Sequence, residues 1–246
     1  MIKSLDKANY IIANSNFTKK LSIKVGVNKE KLNIINPGIN KPRTIDKLYK
    51  IDADNSFKYS NSSEESFPKI ITVARLEKRK NHAKILMTIK NLQSKFPKIK
   101  YISIGSGAEK ENLKKLCEVL ELKKNVIFFE NISQKLKIAL IASSNLFLMP
   151  SVVDKNSVEG FGISFMEAAS YGVGSIGGKD GGASDAILHN KTGLICDGND
   201  LNAIYNSIVD FFDDKKFSKF GKAALEFSEN FHWNKIVKNY LKLINE

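Results

Sequence analysis

Ser157-Val158-Glu159-Gly160-Phe161-Gly162-Ile163-Ser164-Phe165-Met166-Glu167-Ala168-Ala169 carries two carboxylates eight positions apart, with a Gly-Phe-Gly between them. Each glycine would cost about 1 kcal/mol against alanine inside a helix. The spacing therefore predicts a loop holding Glu159 and a helix that starts near Gly162, with Glu167 in its second turn. Free backbone N–H groups at such a start form an anion site. Glu167 then lies roughly 7–8 Å along the axis, at 1.5 Å per residue. Acceptors on both sides of a phosphate cradle suit a ligand with hydroxyls on both sides of a phosphate, such as a nucleotide-sugar. The plainer alternative is that these are surface glutamates complementing a helix dipole.

Working outward, short apolar runs alternate with helical patterns. Strands are expected at Ile70–Ala74, Tyr101–Ile104, Val126–Phe129, Leu146–Met149, Val173–Ile176 and Gly193–Cys196. Helices are expected at Asn81–Phe96, Glu109–Leu120, Gln134–Ala142, Leu201–Phe212, Lys216–Glu229 and Asn234–Ile244. This alternation predicts an α/β fold, a Rossmann-like parallel sheet with helices on both faces. Ligands in such sheets sit at the carboxyl ends of strands. A small strand–helix–strand piece precedes it: Tyr10–Asn14, then Asn16–Val25 capped by Ser15, then Lys31–Ile35 closed by Asn36-Pro37-Gly38.

Four segments follow from these patterns: 1–40, a small leading piece; 41–67, a polar linker; 68–230, the sheet domain; and 231–246, a final helix. The linker holds Asp52-Ala53-Asp54, which without an apolar strand leading into it is read as solvated polar sequence rather than a metal site.

Composition narrows the class. The chain has 246 residues and a formal net charge of +13. The basic residues are nearly all lysines spread along the chain, without interleaved aromatics, so no nucleic-acid partner is expected. Weak attraction to anionic membrane surfaces is the milder alternative. No run of eighteen apolar residues and no apolar leader occur, so a cytoplasmic location is expected, with peripheral contact at the inner membrane surface as an option. Cys117 and Cys196 lie among apolar residues and read as core residues in a reducing compartment.

Arginine is scarce: only Arg43, Arg75 and Arg79 occur. Arg75 and Lys80 follow the strand Ile70–Ala74 and so fall at its carboxyl end, where a planar fork and a point charge suit phosphate oxygens. Gly105-Ser106-Gly107 ends the next strand, a tight turn that also brings backbone close to a ligand; it lacks the third glycine of a dinucleotide fingerprint. Eight of the fifteen glycines fall between residues 160 and 182, and Gly177-Gly178-Lys179-Asp180-Gly181-Gly182 reads as a turn with backbone amides open to a ligand. His82 and His189 have no partner at metal spacing, and His232, beside Trp233, reads as packing.

Together, Glu159-x7-Glu167 with its internal Gly-Phe-Gly, Ala13-Asn14-Ser15, Ile35-Asn36-Pro37-Gly38, Val73-Ala74-Arg75 with Lys80, Ile104-Gly105-Ser106-Gly107, Val126-Ile127-Phe128-Phe129, Thr192-Gly193-Leu194-Ile195 and Phe231-His232-Trp233 resemble, in order, the retaining glycosyltransferases of family 4, which have the GT-B fold. Val158-Glu159-Gly160 and Gly181-Gly182-Ala183 are similar to mannosyltransferases acting on lipid acceptors. Gly174 and Asp185 depart from the family's usual proline and glutamate.

The resemblance implies a metal-independent hexosyltransferase of cell-surface polysaccharide or glycolipid synthesis, moving sugar from a nucleotide-diphosphate sugar to a glycan or lipid-linked acceptor. It needs no cofactor. Arg75 and Lys80 would bind the donor diphosphate and Glu159 the sugar hydroxyls. Amides of Gly160, Phe161, Gly162 and Ile163 would meet sugar and phosphate, Glu167 the ribose, and Ile132 the base, beside Gly105 and Gly107. It also implies that 1–40 ends an N-terminal acceptor domain otherwise missing, that 68–230 binds the donor, and that 231–246 crosses back. The isolated chain is then expected to be inactive. The competing reading is a nucleotide-sugar binding module without turnover.

Overall fold

The computed structural model describes residue 5 and residues 7–42, 49–51, 57–59 and 67–245. Arg43 and the Asp52-Ala53-Asp54 stretch lie outside them. The leading piece is β1 (Ile11–Ala13), α1 (Asn16–Lys24) and β2 (Leu32–Ile34), with β1 and β2 parallel. Ala13, Val27 and Leu32 form its small core. In the linker, β3 (Tyr49–Ile51) and β4 (Phe57–Tyr59) pair as an antiparallel ribbon, so this stretch contains paired backbone where unstructured sequence is expected.

The main sheet is built from β5 (Lys69–Val73), β6 (Lys100–Ile104), β7 (Val126–Phe129), β8 (Leu146–Met149), β9 (Ser175–Gly178) and β10 (Gly193–Cys196). The helices are α2 (His82–Leu92), α3 (Lys110–Val119), α4 (Gln134–Ala142), α5 (Ile163–Ala169), α6 (Ala183–Ala186), α7 (Leu201–Phe212), α8 (Lys216–Ser228) and α9 (Trp233–Asn245). All six strands are parallel, in the order β10-β9-β8-β5-β6-β7. The chain winds outward from β5 in one direction, returns, and continues from β8 in the other. The crevice between β5 and β8 is thus the topological switch point, where ligands bind in open α/β sheets.

Both faces of the sheet are covered, which explains why its strands are continuously apolar. Side chains alternate along each strand: Ile70, Tyr101 and Leu148 enter one core with Leu86, Ile89 and Phe211, while Ile71, Ile102, Phe147 and Met149 enter the other with Phe165 and Met166. Cys117 and Cys196 are buried thiols, and burial pushes Cys196 up to about 12.

One strand expectation shifts. The strand expected at Val173–Ile176 runs instead over Ser175–Gly178, so Gly177 and Gly178 belong to the sheet rather than to a ligand-facing turn. The reason is crowding: a Cβ on Gly178 would lie 1.9 Å from the Ser151 carbonyl oxygen.

The leading piece and the chain's end meet at a crossing. The Ile39 amide donates to the Phe231 carbonyl at 2.8 Å and the Trp233 amide to the Ile39 carbonyl at 3.1 Å. Beyond it, α9 buries only Ile236, while Val237, Leu241 and Ile244 are exposed. Among the described residues no helix is long and apolar enough to cross a membrane.

Candidate functional site

The loop after β5 carries Arg75 to Lys80 and ends in a 3-10 turn, Lys78–Lys80. It is stitched to the end of β8. The Val152 amide donates to the Arg79 carbonyl at 2.9 Å, and Asn81 Nδ2 donates to the carbonyls of Pro150 at 2.9 Å and Gly198 at 2.7 Å. This turn directs Arg79 and Lys80 inward. Both are buried, against the tendency of such side chains to stay in water unless paired.

Their partner is Glu159. The carboxylate accepts from Lys80 Nζ and, at 3.3 Å, from Arg79, and it is itself buried. Arg79 Nε also contacts Glu77 at 3.1 Å, and Glu77 pairs with Arg75 at 2.7 Å. Arg75 is largely exposed and does not reach Glu159 directly. Burial holds the Lys80 ammonium below its ordinary range, opposed by the neighbouring Glu159 carboxylate. Arg79, Lys80 and Glu159 form a buried cluster with one net positive charge at the switch point. A small excess of cation beside open backbone suits an incoming anion better than full neutrality would.

Gly162 has φ 88° and caps α5 without a side-chain hydrogen bond; the Phe165 amide turns back to the Gly162 carbonyl at 2.9 Å, and the Ile163 and Ser164 amides have no side-chain cap. Phe161 turns its ring into the core, against Phe231 at 5.8 Å between centroids, so only its backbone is available to a ligand. Ile163 is exposed. Gly105 and Gly107 press against the Arg75 loop: a Cβ on Gly105 would lie 2.0 Å from the Ala74 carbonyl oxygen, and one on Gly107 2.4 Å from that of Leu76. Their immediate role is to let this loop settle, and the Leu76 amide donates to the Ser106 carbonyl at 2.8 Å.

Glu167 does sit in the second turn of α5, but away from the cation cluster. Its two oxygens accept from Lys137 Nζ at 3.1 and 3.3 Å. The pair lines a cavity of about 140 Å³ with Gln134, Ile163, Tyr171 and Trp233. Ile132 is half-buried before α4, which Ser133 caps. The structure therefore joins Lys80 to Glu159, holds Arg75 one ion pair further out, and gives Glu167 a separate partner. Sequence reasoning placed Arg79 in the loop after the strand but gave the phosphate role to Arg75 and Lys80, and it missed Lys137. The rarity of arginine pointed towards Arg79; Lys137 is one lysine among many and carries no signal.

A doubly wound parallel sheet with a buried cation–carboxylate cluster at its switch point and a glycine-capped helix beside it defines the class as an α/β protein whose candidate site lies at the β5/β8 crevice. Residues 54–227 match the family described as glycosyl transferases group 1, and the chain belongs to that family. It is 28% identical over 170 residues to a GDP-mannose-dependent alpha-(1-6)-phosphatidylinositol monomannoside mannosyltransferase of Mycolicibacterium smegmatis, covering 68% of this chain and 44% of that one. It is 29% identical over 146 residues to the N-acetyl-alpha-D-glucosaminyl L-malate synthase of Bacillus anthracis, covering 57% and 36%. The chain thus spans less than half the length of these two relatives. Among solved structures, its fold is similar to that of HepE from Anabaena in complex with UDP and glucose, with TM-score 0.78 and 17% identity over 97% of this chain and 63% of that chain.

Proposed function

We propose that this chain is the donor-binding half of a retaining glycosyltransferase that takes sugar from a nucleotide-diphosphate sugar, without a metal, and delivers it to a glycan or lipid-linked acceptor. The observation that carries the reading is the buried Arg79–Lys80–Glu159 cluster at the β5/β8 switch point, beside the glycine-capped start of α5. The names of the mannosyltransferase and N-acetylglucosaminyl relatives support a hexosyl donor. Breaking the sugar–phosphate bond gathers negative charge on the leaving diphosphate. Lys80, Arg79 and Arg75 stabilise that charge more as it develops, which is what accelerates the step. Glu159, already fixed by two cations, presents its remaining lone pairs to sugar hydroxyls. Glu167, with Lys137 holding both its oxygens, accepts from the ribose, and Ile132 lies towards the base.

In this reading residues 1–40 end an acceptor domain carried elsewhere, 68–230 bind the donor, and 231–246 return to the acceptor side. The exposed apolar residues of α9 agree with a missing neighbour. The acceptor step takes place in the cytoplasm, with lipid acceptors met at the inner membrane surface.

Calorimetry with GDP, UDP and ADP in chelator tests the donor site. One diphosphate is expected to bind preferentially, and binding only with a divalent ion overturns the metal-free reading. The affinity also has a pH signature. Lys80 is held below its ordinary value in the free chain, and a bound diphosphate raises it. The complex therefore keeps a proton that the free chain loses, and affinity falls as pH rises through the lowered value. A flat alkaline limb would remove Lys80 from the site. Sugar transfer is expected only when a family N-terminal domain is supplied; transfer by the chain alone would overturn its assignment as half an enzyme.

A further inference from the structure

The leading piece touches the sheet domain over Gly160 and Gly182, and one carboxylate organises the contact. Helix α1 has no acidic residue in its first turn. Its cap, Ser15, is fully buried and accepts from the Thr18 amide at 3.0 Å. The next free donor, the Asn16 amide, is met from 169 positions away: Asp185 Oδ2 accepts from Asn16 N at 2.5 Å and from Asn16 Nδ2 at 3.2 Å. A carboxylate at a helix N-terminus is also favoured by the dipole. Asp185 thereby supplies to α1 what its own sequence lacks.

The docked turn carries a directed chain of hydroxyls. Ser15 Oγ donates to Thr18 Oγ1 at 3.0 Å, and Thr18 Oγ1 donates to Asn14 Oδ1 at 2.7 Å, with the Gly160 carbonyl at 3.4 Å. In this arrangement Oδ1 is the acceptor, and Nδ2 lies on the Gly160 side. A Cβ on Gly160 would lie 2.9 Å from that nitrogen, and one on Gly182 would lie 2.9 Å from Ser15 Oγ and 2.0 Å from the Gly160 carbonyl oxygen. Asn14 Nδ2 has no hydrogen-bond acceptor among the described residues, whereas Asn14's own carbonyl is tied by Asn36 at 3.0 Å. The Gly160 loop is itself held by the Gly182 amide, which donates to the Glu159 carbonyl at 2.8 Å.

We propose that Asp185 is a positioning residue that latches the leading piece onto the Gly160 loop, so that the Asn14 side-chain amide supplies N–H donors to the sugar side of the donor site. The inference rests on the donor-site reading above. It adds a contribution from the first forty residues and a role for one of the two positions, Asp185, at which this chain departs from the family pattern. Glu159 and Asn14 then bracket the Gly160 backbone from opposite pieces, and the donor sugar is gripped only when the two pieces are docked.

The test pairs amide hydrogen exchange with calorimetry on the chain, using GDP, UDP, GDP-mannose, UDP-glucose and UDP-N-acetylglucosamine as probes. Asp185→Ala is expected to speed exchange at the Asn16 amide about tenfold, the scale of a lost helix cap. It is expected to weaken the preferred nucleotide-sugar about fivefold while leaving the matching diphosphate within about twofold. Asp185→Glu restores part of both effects. Asn14→Ala reproduces the nucleotide-sugar loss without the exchange change. Unchanged exchange in Asp185→Ala overturns the latch. Equal losses for diphosphate and nucleotide-sugar, or losses that track a fall in Tm in every variant, reduce Asp185 to a structural contact and overturn the positioning role. If the unaltered chain binds none of the nucleotide-sugars, the donor-site reading and the role of Asn14 fail together, and exchange alone decides whether the latch exists.

Discussion

Replacing Glu159 with glutamine is expected to destabilise the chain by about 3 kcal/mol near neutral pH while leaving diphosphate binding as tight as before or tighter. Glu159 is the shared counter-charge of two buried cations. An intact buried ion pair adds little net stability, because desolvation offsets attraction, but removing one partner strands the other at a cost of about 3–5 kcal/mol. Arg79 keeps Glu77, which places the estimate at the low end. Lys80 has an escape, since burial already lowers its pKa; without Glu159 it falls further. The deficit should therefore shrink as pH rises and Lys80 sheds its proton. A diphosphate brings replacement negative charge, so ligand stabilisation, which follows RT ln(1 + [L]/Kd), should be larger in the variant. Nucleotide-sugar binding, which also asks Glu159 to accept from sugar hydroxyls, should weaken relative to diphosphate. Urea unfolding with and without diphosphate, repeated at alkaline pH, reads all of this. A deficit below about 1 kcal/mol, or one insensitive to both pH and ligand, would mean that the cluster is solvated rather than buried.

That prediction depends on a contact that the sequence makes legible only in part. The alternation of short apolar runs and helices marks all six strands of the main sheet, because strands buried on both faces lose their polar positions. The Gly-Phe-Gly between Glu159 and Glu167 marks the loop-to-helix junction, because glycine takes the cap's φ of 88° without a Cβ penalty. Strand order follows less directly, and with it the adjacency of β5 and β8 that brings Lys80 onto Glu159. Which of Arg75 and Arg79 turns inward is set by the 3-10 turn and by the Asn81 bonds to Pro150 and Gly198. No local pattern encodes bonds to partners so distant. Asp185 and Asn16 are separated by most of the chain, and nothing in either neighbourhood announces the other. Gly177 and Gly178 misread as a turn because glycine required by strand crowding looks the same in sequence as glycine required by a bend.

Acidification from pH 6.5 to 4 is expected to remove about 3 kcal/mol of stability through His82 alone. This residue opens α2 and is almost fully buried directly behind the Arg75–Lys80 loop. Its Nδ1 lies 3.0 Å from the Tyr101 hydroxyl, which donates to Thr72 at 3.0 Å; Thr72 in turn donates to the Leu148 carbonyl. One polar thread thus joins β5, β6 and β8 under the site. Burial pulls the imidazole from 6.5 down to about 4; the Arg75 backbone carbonyl opposes the shift and the Lys80 charge adds to it. The sign follows from proton counting. Between these two values the unfolded chain binds a proton that the folded chain refuses, so stability rises with pH across the window and is lost as pH falls through it. A separation of about 2.5 units corresponds to roughly 3 kcal/mol at the acid end. His82→Asn keeps a donor near Nδ1 and cannot titrate, so it should be less stable than the parent at pH 7 yet lose less on acidification. The difference between the two stability–pH curves cancels the carboxylates that titrate in both. Parallel curves from pH 7 to 4 would show that His82 takes up its proton in the folded chain as readily as in the unfolded one, and that the thread beneath the cation loop is not the dry, neutral support that its burial implies.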